Sequence, residues 1–103
     1  MKFNVVVTGA SRGIGFAVAK RFATGGHHLV IVARNAMDLD SAKEGLLQAG
    51  AASVTPLVAD LSSTEAISDC VTHIKARFFE VHVLVNNAGW DVFCPFTKTT
   101  PDQ

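Results

Sequence analysis

The stretch VVVTGASRGIGFAVAKRF, Val5 to Phe22, leaves the chain few ways to fold. A β-branched run stopped by Gly9 reads as a short buried strand over Lys2 to Thr8. Ile14, Val18 and Phe22 then fall four residues apart, with Ala17 widening the stripe, which is the spacing of one helix face. Between strand and helix lies a turn with glycines at 9, 13 and 15. Gly25-Gly26 ends the helix, because glycine accepts the left-handed cap conformation cheaply.

The same alternation repeats along the chain. Leu29 to Ala33 is a second continuous apolar strand, and Asn35 caps a helix from about Met37 to Ala49 that Gly50 closes. The third strand, Ser53 to Ala59, carries Pro56, which cannot donate to a ladder. That predicts an edge position or a local irregularity. Ser62 and Glu65 are spaced as a capping box, opening a helix whose buried face is Ile67, Val71, Ile74 and Phe78. Val81 to Val85 is the fourth strand, followed by the turn NNAG. Beyond it WDVFCPFTKTTPDQ reads as loop, its TTPDQ end shaped like the first turn of another helix, with threonine before Pro101.

Apolar strands alternating with helices imply a parallel sheet covered on both faces. Right-handed crossovers then lead to an α/β, doubly wound fold, of which this is half. A chain of 103 residues makes one domain, residues 1–103, with no repeat, linker or low-complexity segment.

Charge excludes some partners. Nine basic residues balance nine acidic ones without a block of one sign, so no footprint for nucleic acid or an anionic membrane is present. No segment approaches the roughly 20 apolar residues that span a bilayer, and the apolar run before Thr8 is too short for a secretory signal. Cys70 and Cys94 form no Cys-x-x-Cys pair, and Cys70, beside a helical apolar stripe, reads as a buried thiol. His27, His28, His73 and His82 lack metal-ligand spacing and read as structural or surface residues. The expectation is a soluble, reduced, cytoplasmic domain without a metal.

The glycine turn carries the chemistry. Where a strand exits into a helix, the helix's first backbone N–H groups converge and its dipole favours an anion. A side chain at Gly9 would obstruct the tight exit, one at Gly13 would hold a pyrophosphate away, and Gly15 lets the helix lie close to the sheet. The spacing is G-x-x-x-G-x-G rather than the commoner G-x-G-x-x-G, yet strand before and helix after point to a dinucleotide. The end of the second strand then selects the nucleotide. An acidic residue there would bind a ribose 2′-hydroxyl, but Ala33 is followed by Arg34, with no carboxylate until Asp38. A guanidinium suits a 2′-phosphate, and Arg12 could reach it from the other side. A charged hydrogen bond is worth about 1.5–3 kcal/mol, roughly ten- to a hundredfold in affinity, so NADP(H) is expected over NAD(H).

With TGASRGIG, the basic residue after the second strand, Asp60-Leu61 after the third and NNAG after the fourth, the chain resembles the N-terminal part of a short-chain dehydrogenase/reductase. The resemblance runs from Lys2 to Gln103 and implies a partial Rossmann fold of strand order 3-2-1-4, truncated before the fifth strand. It also implies roles. Ser11, Arg12 and Ile14 would line the phosphates and adenosine ribose, and Arg34 would meet the 2′-phosphate. Asp60 and Leu61 would border the adenine, and Asn86, Ala88 and Gly89 would pass under the riboses. Asn86 and Asn87 are equally suited to tying neighbouring strands together. The tail NAGWDVFCPF is similar to that of members acting on coenzyme A thioesters, and to 3-oxoacyl reductases.

Enzymes of this family carry a serine and a Tyr-x-x-x-Lys motif in the half that follows. This sequence contains no tyrosine, and Ser41 and Lys43 belong to a predicted surface helix, so no catalytic residue is assigned. The expectation is a cofactor half that is inactive alone, with a carbonyl or alcohol substrate only in a full-length form. The other reading is a non-catalytic nucleotide-binding or interaction module. VHVLV would form an apolar edge there, and Val83, Val85, Trp90, Phe93 and Phe96 would meet a second copy or a second chain.

Overall fold

The computed structural model describes residues 2–11, 13–60, 62–78 and 80–86. Strands and helices alternate as β1 (Asn4–Thr8), α1 (Gly13–Thr24), β2 (His28–Ala33), α2 (Ala36–Ala49), β3 (Ser53–Val58), α3 (Thr64–Arg77) and β4 (Val83–Val85). All pairings are parallel and the strand order is β3-β2-β1-β4, the expected half of a doubly wound sheet. Register aligns Val6 with Val30 on one side and with Leu84 on the other. The expected start of TTPDQ as a helix lies outside the described residues, as do Cys94, Trp90, Phe93 and Phe96.

Why the strands are apolar throughout is visible in the two cores. Val5, Val7, Leu29 and Ile31 face α1 and α2, where Leu39, Ala42 and Leu46 are buried. Val6, Val30 and Val32 face the other way, onto Cys70, Ile74 and Phe78. Successive strand residues point to opposite faces, so covering both faces demands hydrophobes at every position. Each fully buried branched side chain contributes about 1.5–3 kcal/mol relative to exposure. Cys70 is buried, as its position beside the stripe implied.

The helix ends follow local chemistry. α1 stops in a Schellman arrangement. The His27 N–H donates to Phe22 O at 3.4 Å and the Gly26 N–H to Ala23 O at 2.9 Å, with Gly26 at φ 78°. Asn35 caps α2, its side chain accepting from the Asp38 N–H at 3.0 Å, and Gly50 at φ 122° closes it. Pro56 lies on edge strand β3. Because the Ala59 N–H donates to Ala33 O at 2.9 Å, two-residue alternation turns the Pro56 nitrogen away from β2, so no ladder bond is lost.

Two expectations about helices need correction. The face of α1 that meets the sheet is Gly15, Ala19 and Ala23, not Ile14, Val18 and Phe22. Ile14 is 74% exposed and Ala17 is exposed, while Phe22 and Phe16 pack on the core from the flank. Small residues four apart let the helix approach closely, and larger ones at that spacing would hold it off. On α3 the cap is Ser63, whose Oγ accepts from the Ala66 N–H at 3.3 Å, rather than Ser62 paired with Glu65. The Ser62 hydroxyl is engaged with Asp60 instead. Cys70 takes the place on the buried face expected of Val71, and Phe78 is the extended C-cap residue.

Candidate functional site

The carboxyl ends of the strands gather the sequence-derived residues. Gly9 and Gly13 both have φ 64°, a left-handed conformation that costs a residue with Cβ roughly 1–2 kcal/mol. Between them the chain crosses the end of β2, where Val32 O accepts from the Gly9 N–H at 2.8 Å and the Ala10 N–H at 3.4 Å. These bonds fix the turn and take up its first two donors. The donors that remain for a ligand are those of α1's first turn, which begins at Gly13 and has no intrahelical acceptors.

A Cβ built on Gly13 meets nothing within 4 Å. Packing among the described residues therefore does not require glycine there; the backbone conformation does. Gly15, by contrast, is buried against the sheet. Ser11 is half-buried within the turn, and Ile14 projects from the first turn of α1.

Thr8 is buried at the end of β1. Its hydroxyl lies 3.1 Å from Asn86 Oδ1 and 3.4 Å from Val85 O, and its single proton serves one of these at a time. The Asn86 side chain thus ties β4 to β1, the structural role open to it. Thr8 has no conspicuous sequence signal beyond its place before Gly9.

Arg34 and Asp60 follow β2 and β3 directly and are both exposed. The bond from Ala59 to Ala33 extends the pairing to the residues just before them. Asp60 Oδ1 accepts from the Ser62 hydroxyl at 2.7 Å and from the Ser62 N–H at 3.0 Å. These two hydrogen bonds hold the Asp60 carboxyl below its ordinary value; slight desolvation opposes them and the Arg34 charge reinforces them. Ser62 was missed as a site residue because its three-residue spacing to Glu65 suggested a cap. The Asp-x-Ser pattern of a local turn was the available signal. Arg34 and Asp60 also line a cleft of about 500 Å³ between β3 and α3, with Leu57, Val58, Cys70 and His73.

Arg12, Leu61, Ala88 and Gly89 lie outside the described residues, as does Asn87. Among the described residues no group of three or more His, Cys, Asp or Glu could hold a metal ion. None of the described helices is long and apolar enough to cross a membrane.

A parallel 3-2-1-4 sheet with a glycine turn between β1 and α1 is matched closely by known proteins. Over 86 residues the chain is 42% identical to gluconate 5-dehydrogenase of Gluconobacter oxydans, covering 84% of this chain and 33% of that protein. It is 37% identical to the short-chain dehydrogenase anuI of Penicillium roqueforti, covering 82% of this chain and 34% of that protein. Among solved structures, L-sorbose reductase from Gluconobacter frateurii, complexed with NADPH and L-sorbose, superposes with a TM-score of 0.80 at 36% identity. That match covers 86% of this chain and 34% of the reductase. The chain therefore spans about a third of the length of the relatives it matches. Residues 4–103 match the short chain dehydrogenase family as a whole. Glycine turn, sheet order and sequence agree, and the chain belongs to the short-chain dehydrogenase family of oxidoreductases.

Proposed function

We propose that residues 1–103 form the N-terminal, cofactor-binding part of a single Rossmann domain, that of an NADP(H)-dependent oxidoreductase acting on a carbonyl or alcohol. The observation that carries this reading is the turn at Gly9 and Gly13, both at φ 64°, opening onto α1 with no described residue within 4 Å of a Cβ at Gly13. Such a cradle fits a pyrophosphate: its donors are backbone N–H groups, and no described residue lies within 4 Å of a Cβ placed on Gly13. Arg34 supports a 2′-phosphate, having no carboxylate beside it in sequence before Asp38. The NADPH bound to L-sorbose reductase supports the same choice.

When bound, NADP(H) supplies or accepts the hydride. On this reading the chain's own residues bind and orient: Gly9, Ser11, Arg12, Gly13, Ile14 and Gly15 around the phosphates, and Arg34 at the 2′-phosphate. Asp60 and Leu61 stand at the adenine, and Asn86, Ala88 and Gly89 beneath the riboses. The sequence has no tyrosine to act as the family's proton donor, so residues 1–103 by themselves are inactive in this reading. The thioester expectation rests on residues 87–96, which lie outside the described residues, and carbonyl/alcohol chemistry is the substrate class proposed.

The experiment is a titration of the chain with NADPH, followed by cofactor fluorescence, together with an assay of NADPH oxidation against a ketone panel. Saturable binding without turnover is expected. Turnover by this chain would overturn the assignment of a cofactor half, and absence of binding by folded protein would overturn the cofactor reading.

A second reading, a nucleotide-binding module that pairs with another chain, draws on β4, which has β1 as its one neighbour among the described strands. Concentration-dependent dimerisation in sedimentation experiments would favour it, and a monomer at all concentrations would remove the homodimeric form.

A further inference from the structure

We propose that His27 and His82 form an acid-sensitive clasp on the first residues of β1, at the end of the sheet opposite the glycine turn. The Phe3 N–H donates to His27 Nδ1 at 3.0 Å, and the Asn4 N–H donates to His82 Nδ1 at 2.9 Å. A backbone N–H can only donate, so each Nδ1 must present its lone pair, and each ring is neutral with its proton on Nε2.

The rings are held in place by packing. Phe3 stacks on His27 with centroids 5.1 Å apart and planes at 8°, and it meets His82 at 5.4 Å and 41°. Phe22 closes on His27 edge-on at 6.0 Å. Gly25 leaves room for the ring, since a Cβ there would sit 2.9 Å from His27 Nε2. On the other side Asn4 is bound to the 80–82 segment a second and third time. The His82 N–H donates to Asn4 O at 2.9 Å and Asn4 Nδ2 to Glu80 O at 2.8 Å.

A second proton on either ring has to go on Nδ1, where it would point at an N–H donor. Protonation therefore requires the clasp to open. Acid that places a proton on either Nδ1 breaks that half of the clasp.

The two halves differ in their surroundings. Among the described residues, His27 meets the rings of Phe3 from β1 and Phe22 from α1 and lies against Gly25. His82 Nε2 lies 3.9 Å from Glu80 Oε1, an exposed carboxylate.

The other two histidines provide internal controls. His73 Nδ1 lies 2.8 Å from the Asp69 carbonyl, an acceptor only, so that nitrogen carries the proton already. His28 Nδ1 lies 2.8 Å from Ser53 Oγ, a hydroxyl that can donate or accept. Neither bond is broken by acid.

The test is the imidazole ¹⁵N spectrum of the labelled chain at pH 8, followed by amide exchange as the pH is lowered. His27 and His82 are expected as Nε2–H tautomers and His73 as Nδ1–H. Protection of the Phe3 and Asn4 amides is expected to fall at least tenfold, corrected for intrinsic exchange, while that of Val6 and Val30 persists. A His27→Asn variant places a non-titrating oxygen near the Nδ1 position and should abolish the acid loss at Phe3; His28→Asn should not. An Nδ1–H tautomer at His27 or His82, or double protonation with both amides still protected, overturns the proposal. So does an unchanged acid loss in His27→Asn.

Discussion

The two ends of the parallel sheet treat their backbone donors in opposite ways. At the amino end, the N–H groups of Phe3 and Asn4 are taken by imidazole nitrogens, and Asn4 is bonded three times to residues 80–82. At the carboxyl end, Gly9 and Ala10 place their donors on Val32 O, and the chain enters α1 at Gly13, where no described residue lies within 4 Å of a Cβ. One end is closed by its own side chains, while at the other backbone bonds to Val32 O fix the turn before the N-terminus of α1. Rigidity beside unsatisfied donors is what an anion site requires, because the donors then need no rearrangement to bind.

The contrast can be broken most severely at Gly13. Gly13→Val puts a branched side chain into the approach and strains φ 64°. NADPH affinity is expected to fall more than about a hundredfold, measured by fluorescence titration, with a stability loss of about 1–2 kcal/mol. An unchanged affinity would move the phosphates elsewhere. The close approach of α1 to the sheet comes next. Ala19→Leu is expected to destabilise the fold by about 1–3 kcal/mol in urea denaturation, through overpacking of a residue with 0% exposure. Ile14→Ala, at a position 74% exposed, should change stability by less than about 0.5 kcal/mol. The reverse order would restore Ile14 to the buried face.

Smaller effects sharpen the picture. Asn35→Ala removes the α2 cap and is expected to cost about 1 kcal/mol by the same denaturation assay. Ser62→Ala removes the shorter of the two bonds to Asp60 Oδ1, so the Asp60 carboxyl should titrate at higher pH, read by carboxyl ¹³C shifts. The sign is that of a lowered folded-state carboxyl. Its contribution is present above the pH at which the unfolded carboxyl ionises and is lost as pH falls through the folded value. In Ser62→Ala that loss begins at higher pH, and the effect is small because Asp60 is exposed.

Much of this was legible in the sequence, for reasons that differ by element. The inner strands β1 and β2 were readable because burial on both faces forces continuous apolar runs, as in Leu29 to Val32. Asn35, Gly26 and Gly50 were readable because caps and left-handed positions select residue type directly. The face of α1 was misread because hydrophobic periodicity weighs large side chains, whereas Gly15, Ala19 and Ala23 are chosen for being small. The α3 cap slipped by one residue because Ser62 and Ser63 are both competent, and only the fold shows which hydroxyl Asp60 engages. The histidine clasp has no sequence signature, since its bonds join residues 24 and 78 positions apart. In the site, the glycine turn and Arg34 could be named from spacing, but the tie from Thr8 to Asn86 needed the β1–β4 register.

The central claim is that the carboxyl end binds a phosphorylated dinucleotide through the glycine turn and Arg34. The most direct measurement is a thermodynamic cycle: NADPH and NADH titrated by calorimetry into the chain and into its Arg34→Ala variant, with folding checked by circular dichroism. The account predicts that NADPH binds roughly ten- to a hundredfold tighter than NADH, and that Arg34→Ala removes most of this difference while leaving NADH affinity unchanged. Equal affinities for the two cofactors, or a preference that survives in folded Arg34→Ala protein, would contradict it.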